Sequence, residues 1–90
     1  MERIHLVISG DVQGVGFRFS AIEVANELGL LGWARNNPDG SVEIIAEGPR
    51  EKLEKLASWS KKGSFLAEVE KVESFWEKTT GEFSNFDAKY

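Results

Sequence analysis

Ser9-Gly10-Asp11-Val12-Gln13-Gly14-Val15-Gly16-Phe17-Arg18-Phe19 joins an apolar run, Ile4-His5-Leu6-Val7-Ile8, to a helical pattern through Ala21, Ile22, Ala25 and Leu28. It reads as a strand-to-helix connection crowded by Gly10, Gly14 and Gly16, with Arg18 where the helix begins. Glycines let backbone N–H groups turn toward one point without steric cost. A helix N-terminus adds unpaired N–H groups and a partial positive charge. Together these make a cradle for an anion, most naturally a phosphate. A cation in the first helical turn opposes the dipole by a few tenths to about 1 kcal/mol, a cost that an anion offsets. The alternative is a tight turn beside a solvated arginine, and the residue types alone leave both readings open. No Gly-Lys-Ser/Thr follows, so nothing points to a nucleotide triphosphate. Gly-Val-Gly is also too short for the dinucleotide fingerprint.

On the N-terminal side, Ile4, Leu6 and Ile8 alternate with Arg3, His5, Val7 and Ser9, the period of a strand with one buried face. His5 falls on the other phase and is expected to be a partly exposed strand residue with no carboxylate partner. It is the single histidine, and cysteine is absent, so multi-histidine sites, thiolate sites and a cysteine nucleophile are excluded. The carboxylates lack metal-like spacing. Neither a metal nor a cofactor is expected.

On the C-terminal side, Arg18 to Leu28 reads as a helix, with Glu23 and Glu27 toward water and Gly29 ending it. Leu30 to Asn36 reads as a second strand, Asn37-Pro38-Asp39-Gly40 as a turn, and Ser41 to Glu47 as a third strand with Val42, Ile44 and Ala46 on one face. Gly48-Pro49 opens a second helix whose buried stripe is Leu53, Leu56, Ala57 and Ser60. Glu51 and Glu54 near its start and Lys61-Lys62 near its end suit the dipole, and Gly63 stops it. Trp59 is assigned to packing at the edge of that stripe. Phe65 to Trp76 holds a further strand, in which Val69 and Val72 share a face only across a bulge or twist. Thr79-Thr80-Gly81 connects to a short final strand within Phe83 to Tyr90, with Phe86, Ala88 and Tyr90 on one side.

The expected fold class is therefore α+β: a ferredoxin-like split β-α-β arrangement, β-α-β-β-α-β plus a short C-terminal strand. Two helices would cover one face of a mostly antiparallel sheet. Residues 1–90 make one domain. With 41% hydrophobic and 29% charged residues the chain is ordinary globular material. Its net charge of −4 opposes a general nucleic-acid role. An RNA-binding domain of this fold would also need exposed aromatics and basic residues on the open sheet face. No apolar run approaches the roughly 18 residues of a membrane span, and no signal-peptide pattern is present. A cytoplasmic monomer with no membrane partner is the expectation. The fold hosts many functions and does not choose among them.

Val12-Gln13-Gly14-Val15-Gly16-Phe17-Arg18, taken with Gly32-Trp33-Ala34-Arg35-Asn36-Asn37-Pro38-Asp39-Gly40-Ser41-Val42-Glu43, resembles the acylphosphatase family. The first block is similar to that family's phosphate-binding signature, Val-Gln-Gly-Val-x-Phe-Arg. The second is similar to its Gly-Trp-Val-x-Asn…Gly-Thr/Ser-Val segment, and Leu28-Gly29-Leu30 matches its helix-to-strand passage. The resemblance runs from about Ile4 to Tyr90. It implies a metal-free hydrolase that cleaves the carboxyl–phosphate bond of a small-molecule acyl phosphate, giving a carboxylate and inorganic phosphate. Carried onto this chain, it implies Arg18 and Asn36 as catalytic residues: Arg18 holds the phosphoryl oxygens and Asn36 positions the attacking water. It also implies that the backbone N–H groups of Gly14, Val15, Gly16, Phe17 and Arg18 bind the substrate. In the family the substrate's own phosphate is held to accept the water's proton.

These implications agree with the physics, since phosphoryl transfer needs positioning and charge stabilisation more than covalent chemistry. No serine–histidine–aspartate set suggests a covalent intermediate. Asn37 is assigned to the turn, Gln13 to bracing the loop, and Arg35 to the strand face opposite Asn36. Three departures stand out: Ala34 for the usual valine, Asp11 where basic residues are frequent, and Gly63-Ser64 without the proline common after the second helix. A module that kept the cradle but lost turnover is the reading from another class, and tight phosphate binding without hydrolysis would mark it.

Overall fold

The computed structural model describes residues 1–90. The chain forms β1 (Glu2–Asp11), α1 (Phe17–Glu27), β2 (Leu31–Asn36), β3 (Val42–Gly48), α2 (Arg50–Lys62), β4 (Glu68–Glu77) and β5 (Phe86–Ala88). The strands make one sheet in the order β4-β1-β3-β2-β5. All pairings are antiparallel except β2 with β5, which run parallel. The α+β, ferredoxin-like arrangement expected from the order of elements is the one observed, with small shifts at the ends. β4 starts three residues later than the hydrophobic pattern implied, and β5 keeps only its central three residues.

Register explains how the sheet aims its side chains. Ile4, Leu6 and Ile8 of β1 lie opposite Ala46, Ile44 and Val42 of β3, and these in turn lie opposite Gly32, Ala34 and Asn36 of β2. Directly paired residues point to the same face, so each trio is one row across the sheet. The side chains of the first two rows, Ile4, Ala46, Leu6, Ile44 and Ala34, are buried with Ala21, Ala25, Leu53 and Leu56 of the helices in a single apolar cluster. Each large apolar side chain buried there contributes about 1.5–3 kcal/mol before chain entropy is charged against it. The third row, Ile8–Val42–Asn36, ends this cluster. Asn36 thus occupies the helix-facing side of the sheet at the point where the core runs out.

Val69 and Val72 both pack against that cluster. Of the bulge and the twist that the pattern allowed, the structure has the bulge: Ser9 pairs with Lys71 and Gly10 with Val69, which leaves Glu70 as an extra residue in β4.

The opposite sheet face mixes charged residues such as Arg3, Arg35, Glu43 and Glu77 with apolar ones such as Val7, Trp33 and Ile45, and here one expectation is corrected. His5 does have carboxylate partners: its Nε2 lies 2.6 Å from Glu43 Oε2 and its Nδ1 lies 3.2 Å from Glu77 Oε2. They are 38 and 72 residues away in sequence and are brought alongside by strand pairing. Burial pushes the Glu43 carboxyl up, but hydrogen bonds and charge from Arg35 and His5 outweigh it and hold that group below its ordinary range. Glu47, 1% exposed, accepts the Thr80 and Gly81 N–H groups at 2.9 and 3.2 Å and so ties the last connection to the sheet.

Candidate active site

The link from β1 to α1 is shaped by two left-handed residues, Gly14 at φ 76° and Gly16 at φ 77°. A Cβ at either position would meet nothing within 4 Å, so conformation and not space demands glycine there. Gly16 caps α1 without a side-chain hydrogen bond, and no acidic residue occupies the first turn. Ser20, whose N–H reaches Gly16 O at 2.9 Å, supplies the first well-formed amide hydrogen bond of the helix. No amide from Gly14 to Phe19 makes one. A run of free donors at the positive end of a helix is the arrangement that binds anions.

Two long-range contacts hold this loop. The Phe17 ring is fully buried and packs on Trp59 of α2 with centroids 5.1 Å apart, so the first helical residue is pinned through its side chain while its amide stays free. That places Trp59 in packing, as expected. Ser64 Oγ donates to Val15 O at 3.0 Å. Ser64 entered the sequence reading only as a departure from a proline pattern. Its role was missed because the bond spans 49 positions and has no local signature.

Gly14, Gly16, Phe17, Arg18 and Asn36 line one pocket of about 220 Å³, together with Val12 and Phe19. Val15 does not line it; its side chain packs against the core. Arg18 is distinct among the arginines. Arg3, Arg35 and Arg50 each lie within 4.0 Å of a carboxylate, whereas Arg18 has none. Its guanidinium sits 5.0 Å from the Tyr90 ring centroid and keeps its hydrogen-bond donors uncommitted. The Asn36 side chain likewise has no protein partner, while its neighbours are spent elsewhere. Arg35 donates to Glu43 at 2.9 Å on the other sheet face, and Asn37 Nδ2 donates to Ser41 Oγ at 3.0 Å within the turn. These are the assignments expected for Arg35 and Asn37.

Gln13 braces more than its own loop. Its Nε2 donates to the carbonyls of Asn37 and Ser41, at 2.8 and 2.9 Å, and so links the cradle to the end of β2.

Asp11 is exposed and lies outside the pocket wall, and no acidic residue lines the pocket. Asp39, held below its ordinary range first by the Ser41 hydroxyl and then by the Ser41 amide, belongs to the turn. No three His, Cys, Asp or Glu side chains form a group able to hold a metal ion, and no helix is long and apolar enough to cross a membrane. What the pocket offers is a set of amide donors, one unpaired guanidinium and one free carboxamide.

Known proteins share this framework. The acylphosphatase family model matches residues 4–88. An acylphosphatase of Methylococcus capsulatus is 46% identical over 86 residues, covering 96% of this chain and 94% of that protein. One from Acaryochloris marina is 53% identical over 81 residues, covering 90% and 86%. The crystal structure of an acylphosphatase from Bacillus subtilis superposes with a TM-score of 0.96 at 33% identity, each chain covered in full. With the fold, the family match and relatives of this similarity in agreement, the chain belongs to the acylphosphatase family of enzymes.

Proposed function

We propose that the protein hydrolyses the carboxyl–phosphate bond of small-molecule acyl phosphates, with the phosphoryl group in the Gly14–Arg18 cradle, Arg18 on its oxygens and Asn36 orienting the water. The observation that carries this reading is the pairing, in one pocket, of an arginine with no carboxylate partner and an asparagine with no protein partner.

The chemistry follows from those groups. Amides of Gly14, Gly16, Phe17 and Arg18 donate to the phosphoryl oxygens, and the Arg18 guanidinium adds charge-assisted bonds to the same oxygens. Fixed donors of this kind neutralise charge in the transition state without reorganising at the moment of reaction. The Asn36 carboxamide holds a water in line with the leaving carboxylate. The water oxygen bonds to phosphorus as the bond from phosphorus to the acyl oxygen breaks, and the carboxylate leaves with that electron pair. With no acid on the pocket wall to take it, the water's proton passes to a phosphoryl oxygen of the substrate. Positioning and electrostatics are enough for a substrate with so good a leaving group.

The reading needs no metal and no cofactor, and takes the working form as a cytoplasmic monomer of one domain. Acetyl phosphate and benzoyl phosphate hydrolysis, followed with and without a chelator, tests it. Turnover unchanged by chelator is the expected result. Absence of turnover would overturn the hydrolase reading, and loss on chelation would overturn the metal-free mechanism.

A further inference from the structure

The pocket that holds Arg18 and Asn36 is small. At about 220 Å³ it falls below the roughly 300–1,000 Å³ of sites that enclose a drug-sized ligand. It has room for a phosphoryl group and the atoms next to it, so a larger acyl group must emerge through the mouth. What lines the mouth then decides which acyl groups gain by binding.

Three of the residues that line this pocket are apolar: Val12, Phe17 and Phe19. Val12 and Phe17 are 1% and 0% exposed and their surfaces are already used in the core. Phe19 is 67% exposed. Of these three lining residues, it alone has apolar surface left to offer a ligand. The fold gives no reason for an aromatic there: Phe19 lies in the first turn of α1, outside the core cluster, at a position where polar residues serve a helix better. It follows Arg18 directly, in the first turn of the helix whose N-terminus forms the cradle.

We infer that Phe19 is the acyl-group platform of the site, and that the enzyme favours acyl phosphates whose acyl group is aromatic. The inference rests on the acylphosphatase reading of the pocket. A planar acyl group leaving the cradle lies against the exposed ring, with phosphate at the polar end and apolar surface covered at the other. A pair of aromatic rings is worth about 0.5–1.5 kcal/mol beyond area burial, equivalent to roughly two- to twelvefold in kcat/KM. Acetyl phosphate has only a methyl group to offer and gains little.

The test compares kcat/KM for benzoyl phosphate with that for acetyl phosphate in the wild type, in Phe19→Ser and in Phe75→Ser. Phe75 is a suitable control because it is another exposed aromatic, on β4, where it packs against His5 away from the pocket. Taking the ratio within each variant cancels general effects on folding or on phosphate binding. Phe19→Ser should lower the benzoyl-to-acetyl ratio roughly three- to tenfold, and Phe75→Ser should leave it as in the wild type. An unchanged ratio in Phe19→Ser, or an equal fall in both variants, overturns the assignment of Phe19 while leaving the hydrolase reading intact. If the wild type turned over neither substrate, both would fall together.

Discussion

Gln13→Leu separates holding the phosphate from aiming the water. Gln13 Nε2 makes two hydrogen bonds, 2.8 Å to Asn37 O and 2.9 Å to Ser41 O. Leucine removes both at similar volume. Neither acceptor is orphaned, since Gly40 N–H still reaches Asn37 O at 3.1 Å and Asn37 N–H still reaches Ser41 O at 2.8 Å. A neutral hydrogen bond is worth about 0.5–1.5 kcal/mol, and with both acceptors still partnered the total loss should be about 1–2 kcal/mol. The domain should therefore fold. The catalytic cost is larger, because this clamp is the hydrogen-bonded link between the cradle loop and the strand end carrying Asn36. A misplacement of about 1 Å can cost around a hundredfold in rate. The cradle keeps its own anchors in Phe17 and Ser64.

The expected result is a kcat on acetyl phosphate lower by about ten- to a hundredfold, with inhibition by inorganic phosphate changed by no more than about twofold. Steady-state kinetics should be run in two backgrounds, wild type and Asn36→Ala. If Gln13 acts through Asn36, its removal should cost less than about threefold more once Asn36 is gone. Equal losses in the two backgrounds, or a kcat that does not respond, would refute the reasoning.

Two further predictions concern the scaffold. Glu43 has a lowered pKa in the folded state, so its contribution to stability is present above its unfolded value of about 4.5 and is lost as pH falls through the folded one. Glu43→Gln should then be less stable than wild type in urea at neutral pH, with the gap narrowing as the pH falls below about 4.5; a constant gap would contradict the pairing with Arg35 and His5. Gly32 has φ 141°, and a Cβ there would lie 1.9 Å from Ile45 O. Gly32→Ala should cost at least about 3 kcal/mol, lowering Tm by about 12 °C or more in a domain of this size. A drop below about 4 °C would show that β2 and β3 can separate more easily than their geometry indicates.

What could be read from the residues and what could not divides along sequence separation. The β1 alternation, the Asn37–Gly40 turn and the two helical stripes are local patterns, and each survives in the structure. Even the irregularity at Glu70 was partly legible, because Val69 and Val72 could share a face only across a bulge or a twist, and the structure has the bulge. The pocket was half legible. Closely spaced glycines beside Arg18 suited an anion site and a plain tight turn alike, and Asn36 looked like any asparagine before a turn until the family resemblance weighted it. Sheet register supplies the physical reason for its place, since the row Ile8–Val42–Asn36 carries its side chain to the helix side. The partners of His5, the grip of Glu47 on Thr80 and Gly81, and the bond from Ser64 to Val15 were not legible. Each joins residues more than 30 positions apart through side chains whose types are common on any surface.

The central claim is a division of labour, with Arg18 and the cradle holding phosphate and Asn36 aiming water. Its most direct test is to measure, for Arg18→Ala and Asn36→Ala in parallel, kcat on acetyl phosphate and the inhibition constant for inorganic phosphate. Arg18→Ala should lose about a thousandfold in rate and at least about tenfold in phosphate affinity, as charge-assisted bonds are removed from both states. Asn36→Ala should lose about a hundredfold or more in rate while phosphate affinity stays within about twofold. Wild-type rates in either variant, or a loss of phosphate affinity in Asn36→Ala as large as in Arg18→Ala, would contradict it.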